Sequence, residues 1–113
     1  MYVTFSQNNS GGHFVGQNYI CIECESLDEA NQIAIKHGIY FQGVFLGKDC
    51  ECCGDRWMEA SYESELTQSP EINGSDLLQS EKYWRIVYKN NEVFENRKNF
   101  LDNSKVPPSP QGW

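Results

Sequence analysis

Two stretches near the start of the chain alternate apolar and polar positions, a period of two that is typical of β-strands. Tyr2 to Phe5 consists of β-forming residues, and Asn18 to Glu25 places Ile20, Ile22 and Cys24 on one face. Glutamates lie on the opposite face of the second stretch. We therefore expect two strands, the second of them half buried, joined by a polar connection.

A helix is predicted directly after the second strand. Ser26-Leu27-Asp28-Glu29 matches a capping box, in which the serine hydroxyl accepts from the backbone three residues on and the glutamate reaches back. Gly38 suits the left-handed residue that ends many helices. The apolar stripe expected on the buried face comprises Leu27, Ala30, Ile33, Ala34 and His37.

A third alternating stretch, Lys82 to Lys89, predicts another strand late in the chain. Asn90-Asn91 favours a tight turn, and Val93-Phe94 can then return along the preceding strand. We expect a terminal hairpin from this order.

The middle of the chain carries weaker patterns. Ile39 to Leu46 is rich in aromatic and β-branched residues and predicts a short extended segment, while Trp57 to Tyr62 is compatible with another strand. Glu63 to Ser80 holds Pro70 and Gly74 and predicts a mobile loop with one helical turn.

Together these elements predict an α+β fold, with a mainly antiparallel sheet of four or five strands and the Leu27–His37 helix packed on one face. We expect a single domain over residues 1–105. Residues 106–113 contain prolines that lack backbone donors, so we expect a tail that is disordered or lies extended on the domain.

The charge balance narrows the classes of partner. The 113 residues include 16 acidic and 9 basic side chains, a formal net charge of −7. Non-specific binding to nucleic acid or an anionic membrane needs clustered lysine and arginine, so we expect neither. No stretch reaches the roughly 18 apolar residues of a membrane span, and the polar residues after Met1 lead us to expect no secretory leader. We expect a cytoplasmic protein that folds alone or as a small oligomer.

Five cysteines, an odd number, fit reduced thiols or a metal better than a closed set of disulfides. Cys50 and Cys53, followed by Gly54, form a C-x-x-C-G knuckle whose backbone N–H groups can face metal-bound sulfurs. With Cys21 and Cys24 the spacing becomes C-x2-C-x25-C-x2-C, which indicates a four-cysteine zinc site.

Other interpretations of the cysteines stay open. The two strand cysteines would point to opposite faces, which weakens the four-cysteine site. A second possible zinc site consists of Cys50, Cys52 and Cys53 with His13 or His37. The cysteines also suit buried apolar positions. A thiol redox pair fits less well, because such pairs usually begin a helix and neither C-x-x-C does so here.

The polar bend Asn8-Asn9-Ser10-Gly11-Gly12-His13 is a candidate anion site, because its backbone N–H groups, amides and hydroxyl can turn toward one ligand. It is not a Walker loop, since the Gly-Lys-Ser/Thr ending is missing. An ordinary hairpin connection explains the same residues.

A second bend carries Asp55-Arg56-Trp57. Arg56 can clamp a phosphate and Trp57 can stack on a base. The structural alternative is that Asp55 pairs with Arg56 or caps the turn while Trp57 fills the core. We expect the two bends to meet and line one ligand pocket. The sequence offers no specific combination of nucleophile, base and orienting group, so we expect a protein that is not an enzyme.

The N-N-S-G-G bend, the helix and the string Asp49-Cys50-Glu51-Cys52-Cys53-Gly54-Asp55-Arg56-Trp57 resemble a family of small uncharacterised proteins encoded by tailed bacteriophages. The resemblance covers roughly residues 1–62. It implies a setting, the cytoplasm of an infected bacterium, rather than a mechanism. By analogy with other phage proteins of this size, we expect non-catalytic binding in counter-defence or host takeover. The ligand would be a phosphate-bearing nucleotide signal; alternatively, a zinc-stabilised module would inhibit a host protein through its acidic surface.

Overall fold

The computed structural model describes residues 1–8, 17–49, 51 and 54–96, which form a four-stranded sheet, a two-stranded ribbon and one α-helix. The six strands are β1 (Tyr2–Ser6), β2 (Tyr19–Glu23), β3 (Glu71–Ile72), β4 (Ser75–Asp76), β5 (Trp84–Val87) and β6 (Val93–Asn96). The main sheet has the order β1-β2-β5-β6, and β3 pairs with β4 in the ribbon. The predicted α+β fold, with its mainly antiparallel sheet and single principal helix, is confirmed.

The centre of the main sheet is its one parallel pair among the described strands. β1 pairs antiparallel with β2, β5 pairs antiparallel with β6, and β2 and β5 run parallel. A parallel neighbour requires the chain to cross back over the sheet. The segment between β2 and β5 makes that crossover and carries the helix.

The helix, α1, spans Leu27–Lys36, and its start follows the predicted capping box. The Glu29 N–H donates to Ser26 Oγ at 3.1 Å, while the Glu29 carboxylate accepts from the Glu25 N–H, one residue before the cap. His37 is the C-cap and Gly38 follows with φ +92°. The helix therefore ends one residue earlier than predicted.

Both faces of the sheet are covered, which corrects the prediction that β2 is half buried. The face that packs against α1 forms the larger core, with the buried residues Val3, Phe5, Ile20, Ile22, Cys24, Ala30, Ala34, Ile39, Trp57, Ala60 and Val87. The opposite face buries Cys21, Leu77, Trp84 and Ile86. Leu77 comes from the segment after residue 63, so a distant part of the chain covers the second face of β2.

Three predictions for the middle of the chain are wrong in detail. Residues 39–46 form bends and turns rather than an extended segment, and Gln42 has a φ of +59°. Residues 57–62 contain no strand. The segment 63–80 contains two 3₁₀ turns, Glu63–Glu65 and Leu77–Gln79, with the ribbon between them.

Within the described ranges no helix is long and apolar enough to cross a membrane. The predicted tail, residues 106–113, lies outside them.

Asn31 of α1 binds the backbone of Ala60, which lies in the segment 57–62 that has no strand partner. Its Nδ2 donates to the Ala60 carbonyl at 2.9 Å, and its Oδ1 accepts from the Ala60 N–H at 2.9 Å. Both residues are buried. One side-chain amide thus takes the place of a strand partner for this stretch of backbone.

We predict that Asn31→Leu destabilises the protein by roughly 2–4 kcal/mol, because it leaves the buried Ala60 N–H and carbonyl without partners. The control is Gln32→Leu, an exposed position on the same helix, which should change stability by about 0.5 kcal/mol or less. The measurement is the free energy of unfolding in urea. Equal stability of the two variants would contradict this role of Asn31.

Candidate functional site

The two polar bends meet beside the end of β1. The Asn8 N–H donates to the Arg56 carbonyl at 2.8 Å, and Asn8 Nδ2 donates to the Asp55 carbonyl at 3.1 Å. Arg56 Nη1 donates to Gln7 Oε1 at 2.6 Å. We use the name junction for Gln7, Asn8, Asp49, Asp55 and Arg56. The predicted proximity of the two bends is present at their described residues.

Gln7 reaches the junction because it continues the alternation of β1. Val3 and Phe5 point into the core under α1, so a side chain two residues further points to the same face. Gln7 is buried, and its Nε2 donates to the Gln17 carbonyl at 2.9 Å. One amide side chain therefore holds both Arg56 and the backbone at the end of the connection between β1 and β2.

Asp49 holds Arg56 from the other side. Its side chain is only 4% exposed, and Oδ1 accepts from the Tyr40 hydroxyl at 2.8 Å. Oδ2 accepts from the Arg56 N–H at 2.8 Å, and the Arg56 Nε lies 3.7 Å from Oδ1. These partners offset the cost of burying a carboxylate. Burial, and the hydrogen bond to Asp49, raise the pKa of Tyr40.

Gly43, in the turn that precedes Asp49, packs directly against the Asp49 side chain. There is no space at this position for a side chain larger than that of glycine. A Cβ at Gly43 would lie 1.8 Å from Asp49 Oδ2. The next residue, Val44, donates its N–H to Asp55 Oδ1 at 3.0 Å. Asp55 therefore caps this turn rather than the cysteine-bearing turn directly before it, and the acid beside the Arg56 guanidinium is Asp49.

Arg56 and Trp57 have different environments although they are adjacent. The Arg56 side chain is 22% exposed, whereas Trp57 is 3% exposed and packs in the core beneath α1. The Arg56 side chain thus keeps partial access to solvent. The position of Trp57 favours the structural interpretation of this ring, and its stacking on a ligand base stays a prediction.

Cys21 lies in β2 and Cys24 follows directly after it, and the two side chains are buried in different cores. Cys24 belongs to the core under α1 and Cys21 to the core of the other face. Burial raises the pKa of Cys21 to about 12 and also raises the pKa of Cys24. Thiols that stay protonated are poor nucleophiles and must lose a proton before they bind a metal. This geometry does not bring the two sulfurs toward one ion.

The other predicted site residues lie outside the described part of the chain. They are Asn9, Ser10, Gly11, Gly12 and His13 of the first bend and Cys50, Cys52 and Cys53 of the knuckle. Among the residues that are described, no three His, Cys, Asp or Glu side chains are grouped so that they could hold a metal. His37 caps α1. The zinc site stays a prediction.

Gln7 and Asp49 are not among the site residues predicted from the sequence. Gln7 could have been found, because it is in phase with Val3 and Phe5. Asp49 gives no local signal, since its partners Tyr40 and Arg56 come into contact with it only through the turns of residues 41–49. The resulting arrangement is a partly exposed arginine side chain held by an amide and a carboxylate. A guanidinium can donate hydrogen bonds to an anion.

Residues 1–98 match the family model of a domain of unknown function, DUF7296. The chain belongs to this family. No curated protein and no solved structure gave a match. The DUF7296 match includes every described strand, α1 and the whole junction.

We predict that Gly43→Ala destabilises the DUF7296 domain by roughly 3 kcal/mol or more, because the new methyl group displaces Asp49 and its hydrogen bonds. The control is Gly47→Ala. Gly47 has a φ of +77° and open space around it, so the cost should be only the roughly 1–2 kcal/mol of a left-handed backbone. The measurement is urea denaturation of both variants. A smaller loss for Gly43→Ala than for Gly47→Ala would contradict the packing described for Asp49.

Proposed function

We propose that this protein is a non-catalytic binding protein that holds a phosphate-bearing small molecule at the junction. The observation that supports it is the contact between Asn8 and the Asp55-Arg56 backbone. This contact puts a guanidinium beside the start of a bend rich in potential donors. The setting we propose, counter-defence or host takeover in the cytoplasm of an infected bacterium, comes from the resemblance to phage proteins.

The Arg56 guanidinium is oriented before any ligand arrives. Gln7 accepts from Nη1, and the Arg56 N–H is fixed by Asp49. A side chain that is already ordered loses less conformational entropy on binding. The 3.7 Å between Arg56 Nε and Asp49 Oδ1 is longer than the roughly 2.7–2.9 Å of a charge-assisted hydrogen bond. Asp49 therefore positions the guanidinium chiefly through the Arg56 N–H and the opposite charge beside Nε.

The net charge favours a selective site over general anion binding. A chain of net charge −7 repels polyanions at long range. A small phosphate ligand must then be held by short-range donors such as Arg56. Such a site suits sequestration of one signal molecule more than contact with nucleic acid.

The groups described at the junction support a proposal that the ligand is released unchanged. Its described side chains are amides, carboxylates that already accept hydrogen bonds, and one guanidinium. The described cysteines are buried and protonated at neutral pH. We therefore propose binding without cleavage.

Arg56→Gln tests the proposed site directly. We expect inorganic phosphate, ATP or a cyclic dinucleotide to raise the melting temperature of the wild-type protein. Mass spectrometry of the supernatant from heated protein would identify any ligand retained from the bacterium. Arg56→Gln should weaken binding by about tenfold or more, because a charge-assisted hydrogen bond to an anion is lost. Binding is measured by calorimetry.

The matched control is Arg85→Gln. Arg85 is comparably exposed and pairs with Glu95 at 3.0 Å, but it lies on β5 rather than at the junction. This variant should bind as the wild type does. Arg56→Lys, which keeps the charge, separates loss of binding from loss of folding. No response to any of the probes, equal losses in both glutamine variants, or a chemically altered ligand would contradict the proposal.

A further inference from the structure

An exposed aromatic residue stands on the turn that packs against Asp49. Phe45 is 84% exposed and Leu46 is 54% exposed. Their turn is closed by hydrogen bonds from the Leu46 N–H to the Gln42 carbonyl at 2.9 Å and from the Lys48 N–H to the Gly43 carbonyl at 2.7 Å. Large exposed rings of this kind are enriched at the centres of protein interfaces.

The turn that carries Phe45 is held by contacts with Asp49 and Asp55. The Val44 N–H donates to Asp55 Oδ1, and Gly43 lies against the Asp49 carboxylate. Phe45 is therefore presented by a backbone that has little freedom to move. A rigid aromatic anchor lowers the entropy lost when a partner binds.

Phe45 also lines an open cavity of about 790 Å³. The described residues around this cavity are Gln42, Val44, Phe45, Glu51 and Asp55. Its wall therefore combines an aromatic and an aliphatic side chain with two carboxylates. A partner that fills it needs apolar groups next to a positive charge.

Charge complementarity selects among the possible occupants. The carboxylates of Glu51 and Asp55 and the net charge of −7 oppose an anionic membrane surface. They also oppose a second copy of this chain, which carries the same charge. A lysine or arginine side chain flanked by apolar residues satisfies both the carboxylates and the exposed ring.

We propose that the Phe45 turn and the cavity beside it bind a partner protein through a segment that places a basic side chain next to apolar ones. This surface shares Asp55 with the junction, but the variants that test it change Phe45, Leu46 and Glu51 rather than Arg56. The two proposals can therefore be tested by separate variants.

The experiment selects a displayed library of random twelve-residue peptides on the immobilised full chain, then measures selected peptides by fluorescence anisotropy. We expect enrichment of sequences with lysine or arginine beside leucine, phenylalanine or tryptophan. Phe45→Ser and Leu46→Ser should weaken these peptides by about tenfold or more, as for anchor residues of an interface. Glu51→Lys should weaken them through charge reversal.

The matched control is Leu78→Ser, another exposed leucine, in the 3₁₀ turn Leu77–Gln79. It should leave peptide binding unchanged, and melting curves should show that all four variants fold. Failure to enrich any peptide, enrichment of acidic peptides, or equal binding by wild type and Phe45→Ser would overturn the proposal. Light scattering that shows dimers lost in Phe45→Ser, or binding to phosphatidylglycerol vesicles through Phe45, would also overturn it by assigning the surface to another occupant.

Discussion

A single buried carboxylate, that of Asp49, organises the irregular half of this domain. It accepts from the Tyr40 hydroxyl on one oxygen and from the Arg56 N–H on the other. Residues 39–57 contain no regular strand or helix among their described positions, so their backbone needs partners of another kind. Asp49 supplies one such partner, to the Arg56 N–H, binds the Tyr40 side chain as well, and leaves no space for a side chain at Gly43. The shape of both proposed binding surfaces follows from this packing.

The Asp49 carboxylate contacts residues of both proposed surfaces, Arg56 in one and the Gly43 turn that carries Phe45 in the other. On one side, Arg56 continues into Trp57, whose ring anchors the segment in the core beneath α1. On the other side, Gly43 and Val44 lead into the exposed Phe45. Arg56 and Trp57 are adjacent in sequence, but the Arg56 side chain is partly exposed while the Trp57 ring is buried in the core. Both proposed surfaces therefore depend on contacts with Asp49 and Asp55.

The regular elements could be predicted from sequence because their signals are local. Alternation identified β1, β2 and β5, and the Ser26 capping box together with Gly38 identified α1. The parallel pairing of β2 with β5 could not be predicted this way, since alternation does not specify which strands become neighbours. The burial of Cys21 could not be predicted from alternation either, because it depends on packing with Leu77, which comes from a distant segment.

The candidate site was predictable only in part. The donor-rich composition of the first bend and the position of Arg56 indicated an anion site, and the bends do meet at Asn8. The residues that orient Arg56 were not recognised, because the aromatic run from Ile39 to Leu46 resembles a strand while tertiary packing folds it into turns. The role of Trp57 could not be decided from the sequence, because a large ring beside an arginine suits a ligand site and a core equally well.

Amide hydrogen exchange at Asn8 and Arg56 tests most directly whether Asp49 holds the junction together. The Arg56 N–H is bonded to Asp49 and the Asn8 N–H to the Arg56 carbonyl, so both should exchange slowly in the wild-type protein. In Asp49→Ala we expect both amides to exchange rapidly while the central strand β2 keeps its protection. Rapid exchange at both amides in the wild type, or unchanged protection in Asp49→Ala, would contradict the account.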